Sequence, residues 1–316
     1  MDAILERCCG LDVHRDTVVA CMLTGPLDGR PKKEIKTFST MSKGLHELLD
    51  WLQEKQCTDA AMESTGIYWK PVYQVLEEGC LNIKLANAQR IKNVPGRKTD
   101  VCDSEWIAKL LRSGLIEGSF VPPQDIRELR DLTRYRKKLV QNIAAEKNRI
   151  QKFLESSGIK LSSVMSDVFG VTGRAILKQL LENGRLDEET IKSLARGNIK
   201  TKVPQVLEAL RTKLSPHHRF LIRKSWEHLV YLEQSLEELD EMIDQHLSAY
   251  SEEVELISAI PGMNKTSVAA IIAEIGVDMN QFPSDRHIAS WAGLSPGNNQ
   301  SAGKKKVLMP HRATLT

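Results

Sequence analysis

Residues 7 to 23 read Arg-Cys-Cys-Gly-Leu-Asp-Val-His-Arg-Asp-Thr-Val-Val-Ala-Cys-Met-Leu. Two short apolar runs with β-branched residues flank the polar turn 14–16, which is the pattern of a β-hairpin. Asp12 lies inside the first of these runs. A carboxylate within an apolar strand is costly unless it is paired or bound to a metal. The stretch therefore predicts the start of a sheet and a first candidate functional residue.

The segments that follow alternate between strand and helix patterns as far as Pro122-Pro123. The predicted elements are a strand at 34–39, a helix at 42–53, a strand at 59–62, a helix at 66–78, a strand at 82–86 and a helix at 99–111 capped by Thr99 or Asp100. The resulting order, β-β-β-α-β-α-β-α, predicts an α/β domain with the element order of a ribonuclease-H-like fold.

Four carboxylates occupy informative places in this domain. Asp12 lies in the first strand, Glu63 ends the fourth strand, and Asp100 and Asp103 lie three apart at the expected start of a helix, where both would share one face. Ligand sets made only of oxygen suit Mg²⁺ or Mn²⁺. Because a lone Asp at a helix start is usually a cap, the prediction of a metal site depends on all four acids together.

The periodicity changes after the first domain. Apolar residues at heptad spacing cover 126–155 and 222–247, which predicts two long helices that form a coiled-coil hairpin or a dimer zipper. Shorter helices are expected between them. We predict self-association through these helices, as a dimer or tetramer.

Charge is distributed unevenly along the chain, although the formal net charge is only +3. Residues 84–152 contain 16 Lys or Arg and 8 Asp or Glu, whereas 226–256 contain 10 acids and no Lys or Arg. A basic segment attracts a phosphate backbone. The alternative is that these charges only form a solvated helix face, which would have the same composition. We predict salt-dependent nucleic-acid binding through 84–152 and Lys304-Lys305-Lys306, with the acidic helix pairing with the basic one within one chain or across two.

The last segment, from residue 257, predicts two helices joined by a turn that contains Pro261-Gly262. A helix-hairpin-helix of this kind can place backbone N–H groups against a phosphate, and an ordinary helical hairpin is the alternative. Beyond it, 291–303 is a loop of small residues that contains Ser295 and Ser301.

Composition excludes several classes of protein. The 316 residues are 41% hydrophobic and 27% charged, which is typical of a globular chain. No apolar stretch is long enough to span a membrane, and the N-terminus lacks the apolar region of a secretion signal. The six cysteines form no Cys-x-x-Cys pair, so we expect free thiols in the cytoplasm. A zinc site on Cys8, Cys9 and His14 lacks a tetrahedral ligand set.

Three motifs together resemble one protein family. They are Gly10-Leu11-Asp12-Val13-His14, Met62-Glu63-Ser64-Thr65-Gly66-Ile67-Tyr68-Trp69 and Lys98-Thr99-Asp100-Val101-Cys102-Asp103. With the C-terminal stretches 260–262 and 291–296, they resemble the DEDD-type transposases of bacterial insertion sequences, which are relatives of the pilin-gene invertase. These proteins have a RuvC-like N-terminal domain, a coiled-coil middle and a C-terminal transposase domain. The resemblance covers nearly the whole chain.

The resemblance implies a function and a set of site residues. Asp12, Glu63, Asp100 and Asp103 match the family's metal-binding set, and Pro296 to Gly303 matches the context of its serine nucleophile, which points to Ser301, with Ser295 as the runner-up. The implied activity is metal-dependent cleavage and exchange of DNA strands, with insertion-sequence ends and target DNA as substrates. In some members a non-coding RNA guides the reaction, so a guide RNA is a further implied partner.

The implied domains are a RuvC-like catalytic domain at 1–121, a helical coiled-coil domain at 122–256 and a C-terminal transposase domain at 257–316. Residues 306–316 match nothing in the family pattern, so we expect this last domain to be truncated. Two alternatives stay open, namely a RuvC-like nuclease that cuts branched DNA without strand transfer, and an inactive copy that only binds nucleic acid. An actin-like ATPase would need glycine-rich phosphate loops that 14–16 does not supply.

Overall fold

The computed structural model describes residues 2–64, 66–79, 81–88, 91 and 102–294, with the strand backbones at 300–301 and 304–305. The chain forms two compact units. The first unit holds the residues up to Val121 and the described residues from Met279, and the second is Pro122–Asp278. The segment from residue 257 is therefore divided between the two units.

The strands and helices follow in chain order. The strands are β1 Arg7–Val13, β2 Thr17–Thr24, β3 Lys32–Ser39, β4 Asp59–Glu63, β5 Asn82–Ala86, β6 Gln300–Ser301 and β7 Lys304–Lys305. The helices are α1 Ser42–Glu54, α2 Trp69–Glu78, α3 Asp103–Arg112, α4 Gln124–Ser156, α5 Val171–Asn183, α6 Glu188–Leu194, α7 Val203–Ala209, α8 Pro216–Leu247, α9 Ser251–Ser258, α10 Lys265–Ile275 and α11 Asp285–Trp291. Among these described helices, none is both long and apolar enough to cross a membrane.

The first unit is built on a five-stranded sheet in the order β3-β2-β1-β4-β5. Strands β1, β2 and β3 are antiparallel neighbours, whereas β4 pairs in parallel with both β1 and β5. An antiparallel meander followed by parallel strands reached through helices is the ribonuclease-H-like sheet, so the predicted fold class is confirmed. The described residues outside this sheet are mainly helical.

Side chains alternate along each strand, and the central strands β1 and β4 bury residues on both faces of the sheet. One face carries Cys9, Leu11 and Met62 in a core with α1 and α2. The opposite face carries Cys8 and Ala61 in a core with α3. The helix α3 therefore lies on the side of the sheet that faces away from α1 and α2.

Two predicted helix starts are wrong. The helix expected from Gly66 begins at Trp69, because Gly66 adopts a φ of +64°. The helix expected from Thr99 begins at Asp103, because Cys102 is extended, with φ −65° and ψ 153°, and is the N-cap. Asp103 is therefore the first residue of this helix. Asp100 itself lies outside the described residues.

The second unit contains the predicted coiled-coil hairpin, formed within one chain. Helix α4 has 33 residues and α8 has 32, which gives each a length of about 50 Å. They run antiparallel, since Tyr250 contacts Asp125 whereas His218 contacts Ser156 at the other end. The buried seam of α4 includes Ile126, Leu139, Ile143 and Ile150; that of α8 includes Ile222, Leu229, Leu239 and Ile243.

Candidate functional site

The first two predicted carboxylates lie at the same edge of the sheet. In the parallel pairing of β1 with β4, Leu11 is opposite Met62. Asp12 and Glu63 are the next residue on each strand, so they occupy neighbouring positions where both strands approach their carboxyl ends. This edge is the usual place for a site in sheets with parallel strands.

Alternation along the strands places both carboxylates on the α3 side of the sheet. Asp12 is two residues beyond Gly10, and Glu63 is two residues beyond Ala61, so each pair shares a face. Ala61 is fully buried in the core formed with α3. The backbone of β4 is held at this point by Ser64 N–H, which donates to Ala86 O at 2.9 Å.

Gly10 allows α3 to approach the sheet at main-chain distance. A methyl group at this position would lie 2.2 Å from Ser104 O and 2.3 Å from Ala108 N, far inside contact distance. Only glycine fits such a close approach. The contact brings the first turn of α3 against β1 two residues before Asp12. Asp103, the first residue of α3, directly precedes Ser104, whose carbonyl oxygen makes this contact.

Asp12 has a neighbour, His14, that the sequence pattern did not pair with it. His14 Nε2 lies 3.2 Å from Asp12 Oδ2, and the two side chains are 60% and 26% exposed. His14 N–H also donates to Thr17 O and closes the hairpin. The two-residue spacing could have revealed this neighbour, because side-chain alternation continued one residue past the end of β1 puts His14 on the same side as Asp12.

The remaining predicted site residues are less completely placed. Asp103 is exposed at the start of α3. Asp100 and Ser295 lie outside the described residues. Ser301 is in β6, which pairs with β7 so that Ser301 is opposite Lys304, and its side chain is outside the described set. Among the described residues, no three His, Cys, Asp or Glu side chains are close enough to hold a metal ion.

The chemistry of the donor set nevertheless fits a hard divalent cation. The two placed neighbours are both carboxylates, and Asp12 is partly open to solvent. Oxygen ligands of this kind are those that Mg²⁺ and Mn²⁺ take in proteins. A complete ligand set would need Asp103 and the undescribed Asp100 to join them.

The four cysteines described as buried do not contribute to this site. Cys8 and Cys9 are consecutive in β1 and pack in cores on opposite faces of the sheet, so they cannot bind one zinc ion. Burial raises the pKa of Cys8, Cys21 and Cys57 to about 12 in each case and raises that of Cys9 as well. These thiols are therefore protonated structural side chains.

A cleft of about 840 Å³ lies in the first unit away from the carboxylates. Its walls come from the N-terminal segment, the turn between β2 and β3, and α3 residues such as Glu105, Lys109 and Arg112. Asp12, Glu63 and Asp103, the predicted acids that the structure describes, are not among the residues that line it. This cleft and the described carboxylates are thus separate.

The basic residues predicted to bind phosphate are partly neutralised within the second unit. Arg136 forms a two-point ion pair with Asp240, with Nη2 to Oδ2 at 3.0 Å, and Lys147 lies 3.5 Å from Glu233. The acidic helix therefore pairs with the basic one inside a single chain. Lys137 and Lys138 remain exposed on α4, so fewer cations are available for phosphate than the sequence count implies.

Two arginines of α4 attach the helical hairpin α9–α10 to the coiled coil. Arg130 donates from Nε to Ala273 O and from Nη2 to Glu274 O, each at 2.9 Å, which satisfies free carbonyls near the end of α10. Arg134 donates to both carboxylate oxygens of Glu274 at 2.9 and 3.0 Å. The turn before α10 is exposed, with Gly262 at φ +88°.

Comparison with known proteins gives a consistent result. A model of the DEDD transposases of the IS110 type matches residues 9–158, and a model described as the transposase IS116/IS110/IS902 family matches residues 254–313. The transposase for insertion sequence element IS1533 of Leptospira borgpetersenii is 28% identical over 158 residues. That match covers 48% of this chain and 44% of the relative, so less than half of the relative's length is spanned.

Two solved structures of Thermus thermophilus RuvC also match the chain. RuvC in complex with a Holliday junction substrate is 11% identical and covers 36% of this chain and 100% of its own, with a TM-score of 0.27. The second is 13% identical and covers 37% and 85%, with a TM-score of 0.24. The two family models match separate parts of the sequence and describe one kind of protein, and we conclude that this chain belongs to the IS110-type family of DEDD transposases.

Proposed function

We propose that this chain is a transposase that cleaves and exchanges DNA strands in the bacterial cytoplasm, using the carboxylates at the β1–β4 edge together with Ser301. The observation that carries the proposal is the placement of Asp12 and Glu63 on neighbouring parallel strands, on the face against which Gly10 admits α3. Insertion-sequence ends and target DNA are the proposed substrates, and a guide RNA and further copies of the chain are proposed partners. The domains are proposed at 1–121, 122–256 and 257–316.

Asp12, Glu63, Asp100 and Asp103 are the residues proposed to hold Mg²⁺ or Mn²⁺. When bound, such an ion stabilises the negative charge that develops on a phosphodiester during displacement. The chain's own part is to hold these carboxylates in place. The main-chain contact at Gly10 fixes α3, the bond from Ser64 N–H to Ala86 O fixes the end of β4, and His14 next to Asp12 limits the orientations of that carboxylate.

Ser301 is proposed as the nucleophile. Its oxygen would attack a backbone phosphorus and form a serine–phosphate ester as the bond from phosphorus to the deoxyribose oxygen breaks. The proton of the serine would pass through a nearby base to that oxygen, which leaves as a hydroxyl. The ester conserves the energy of the phosphodiester bond, so rejoining would need no nucleotide hydrolysis. Ser295 is the alternative nucleophile in the same stretch of sequence.

Strand cleavage tests the carboxylate part of this proposal. Purified chain is incubated with supercoiled DNA that carries the element's ends and with Mg²⁺, and nicked products are counted. Glu63→Gln should reduce cleavage by at least about 100-fold, as expected for a group that acts in the transition state. The matched control is Glu54→Gln, on an exposed glutamate at the end of α1. Equal cleavage by both variants would reject the site.

A covalent adduct tests the serine part. Protein is incubated with end-labelled DNA, denatured, and examined for a labelled band at the size of the chain. Ser301→Ala should remove the band and Ser295→Ala should leave it. The reverse pattern would assign the role to Ser295, and a band that survives both substitutions would reject a serine ester.

A further inference from the structure

The segment between the two long helices carries a concentrated positive charge that the site described above does not use. Residues 190–213 contain six Lys or Arg and one acid, Glu208. Two of the six cations are paired close by, Lys192 with Glu188 at 2.7 Å and Arg211 with Glu208 at 3.5 Å. Arg196, Lys200 and Lys202 are exposed, and we name these three residues the connector patch.

The backbone under the connector patch is held by the core of the second unit. Ile191, Ala195 and Val203 are each less than 5% exposed and belong to the main cluster of buried residues. Arg196 N–H donates to Thr172 Oγ1 at 3.1 Å, which attaches the segment to α5. The cations therefore project from a fixed surface, and binding to them would order only their side chains.

The connector patch has the composition of a phosphate-binding surface. Among the described residues, no acid lies within ion-pair distance of its three cations, although Lys202 Nζ is 3.4 Å from Val164 O. Exposed amide and hydroxyl groups at Asn198 and Thr201 lie between the cations. Lys, Arg, Asn and Thr side chains are among the groups that contact nucleic-acid phosphates in protein complexes.

The spacing of the connector patch also suits a nucleic-acid strand. Gly197–Lys202 is a 3-10 helix, and six residues at about 2.0 Å per residue extend about 12 Å. A duplex strand places one phosphate about every 3.4 Å along its axis. Three cations spread over this length can therefore neutralise different phosphates of one strand.

We propose that the connector patch binds the phosphate backbone of a nucleic acid without reading its sequence. The proposal extends the proposed function to a surface in the second unit that lies outside the three motifs and outside residues 291–303. It rests on the proposed function only in expecting DNA or RNA as the partner. It does not depend on metal binding or on Ser301.

The test is equilibrium binding of the full chain, measured by fluorescence anisotropy with labelled duplex DNA and labelled duplex RNA of unrelated sequence, from 50 to about 300 mM salt. The variant is Lys200→Glu combined with Lys202→Glu. The matched control is Lys178→Glu, an exposed lysine of α5 in the same unit. Circular dichroism verifies that each variant is folded, and no divalent metal is added, so failure of cleavage cannot affect the result.

The double variant should bind at least one of the two duplexes at least 10-fold more weakly at 100 mM salt. The slope of log affinity against log salt should also be shallower by about two units, because each lost phosphate contact reduces that slope by about 0.9. Lys178→Glu should bind within twofold of the unmodified chain. Loss with one duplex only identifies DNA or RNA as the partner. The proposal is overturned if the affinity and the salt slope of the double variant are unchanged for both duplexes.

Discussion

Replacing Gly10 with alanine should disturb the candidate site more than it disturbs the fold. The added methyl group would meet Ser104 O at 2.2 Å and Ala108 N at 2.3 Å, and both atoms belong to the backbone of α3. Ordinary contacts begin near 3.4 Å, so α3 has to retreat by about 1.2 Å. Insertion of a methyl group into a packed core costs about 1–3 kcal/mol, and two backbone contacts place this change at the upper end.

The effect on activity should be larger than this loss of stability explains. Helix α3 carries Asp103 at its first residue, and a misplacement of about 1 Å near reacting groups can reduce a rate by about 100-fold. We therefore expect Gly10→Ala to lower the free energy of unfolding by about 3 kcal/mol and Mg²⁺-dependent strand cleavage by about 100-fold. Urea titration followed by circular dichroism and the nicking assay measure the two quantities.

The matched control is Gly118→Ala, where the added methyl group would lie 3.6 Å from Lys84 Cγ, an ordinary contact with a flexible side chain. This variant should stay within about 0.5 kcal/mol of the unmodified chain and retain its cleavage rate. If Gly10→Ala cleaves DNA as fast as Gly118→Ala does, the contact between β1 and α3 does not position the site and the reasoning fails.

Three further predictions concern other parts of the molecule. Burial raises the pKa of Glu146, but hydrogen bonds from His228 and Arg149 more than offset this and hold the pKa below its ordinary 4.5. The contribution of the Glu146 carboxylate to stability is therefore complete above pH 4.5 and is lost as the pH falls through its pKa in the folded protein. The urea midpoints of Glu146→Gln and of the unmodified chain should therefore approach each other on acidification. A midpoint difference independent of pH would contradict this. The buried cysteines should resist Ellman's reagent in the native protein while exposed Cys102 reacts, and fast labelling of all thiols would contradict the core assignment. Arg134→Ala should destabilise the second unit by about 1.5–3 kcal/mol through loss of its charged hydrogen bonds, and a melting temperature equal to that of the unmodified chain would show that the ion pair contributes nothing.

Much of the first unit was predictable because its signals are local. The hairpin at 7–23 and the strands at 59–62 and 82–86 have apolar runs bounded by turns, and those patterns match what a half-buried or buried strand requires. The two long helices were predictable for the same reason, since their heptads repeat over several turns. Asp12 and Glu63 could be selected because a carboxylate at the end of an apolar strand violates the local pattern.

The parts that were wrong or missed depend on contacts between residues far apart in sequence. The start of α3 at Asp103 reflects the extended backbone of Cys102, which the local pattern of Asp and Thr residues did not indicate. The burial of Glu146, which is 3% exposed in an otherwise apolar seam, depends on α8 lying opposite it. The use of Arg136 in an ion pair with Asp240 likewise could not be read from α4 alone.

Direct measurement of Mn²⁺ binding tests, without requiring catalysis, whether the carboxylates at the β1–β4 edge bind a divalent metal. Free Mn²⁺ is followed by electron paramagnetic resonance as it is titrated into the unmodified chain, Asp12→Asn and Asp16→Asn. Asp16 is the matched control because it lies in the same hairpin with its side chain 82% exposed. We expect the unmodified chain and Asp16→Asn to bind Mn²⁺ with equal affinity and to release it to Mg²⁺, and Asp12→Asn to bind Mn²⁺ more than about tenfold more weakly. Equal Mn²⁺ binding by Asp12→Asn and Asp16→Asn would show that Asp12 is not a metal ligand.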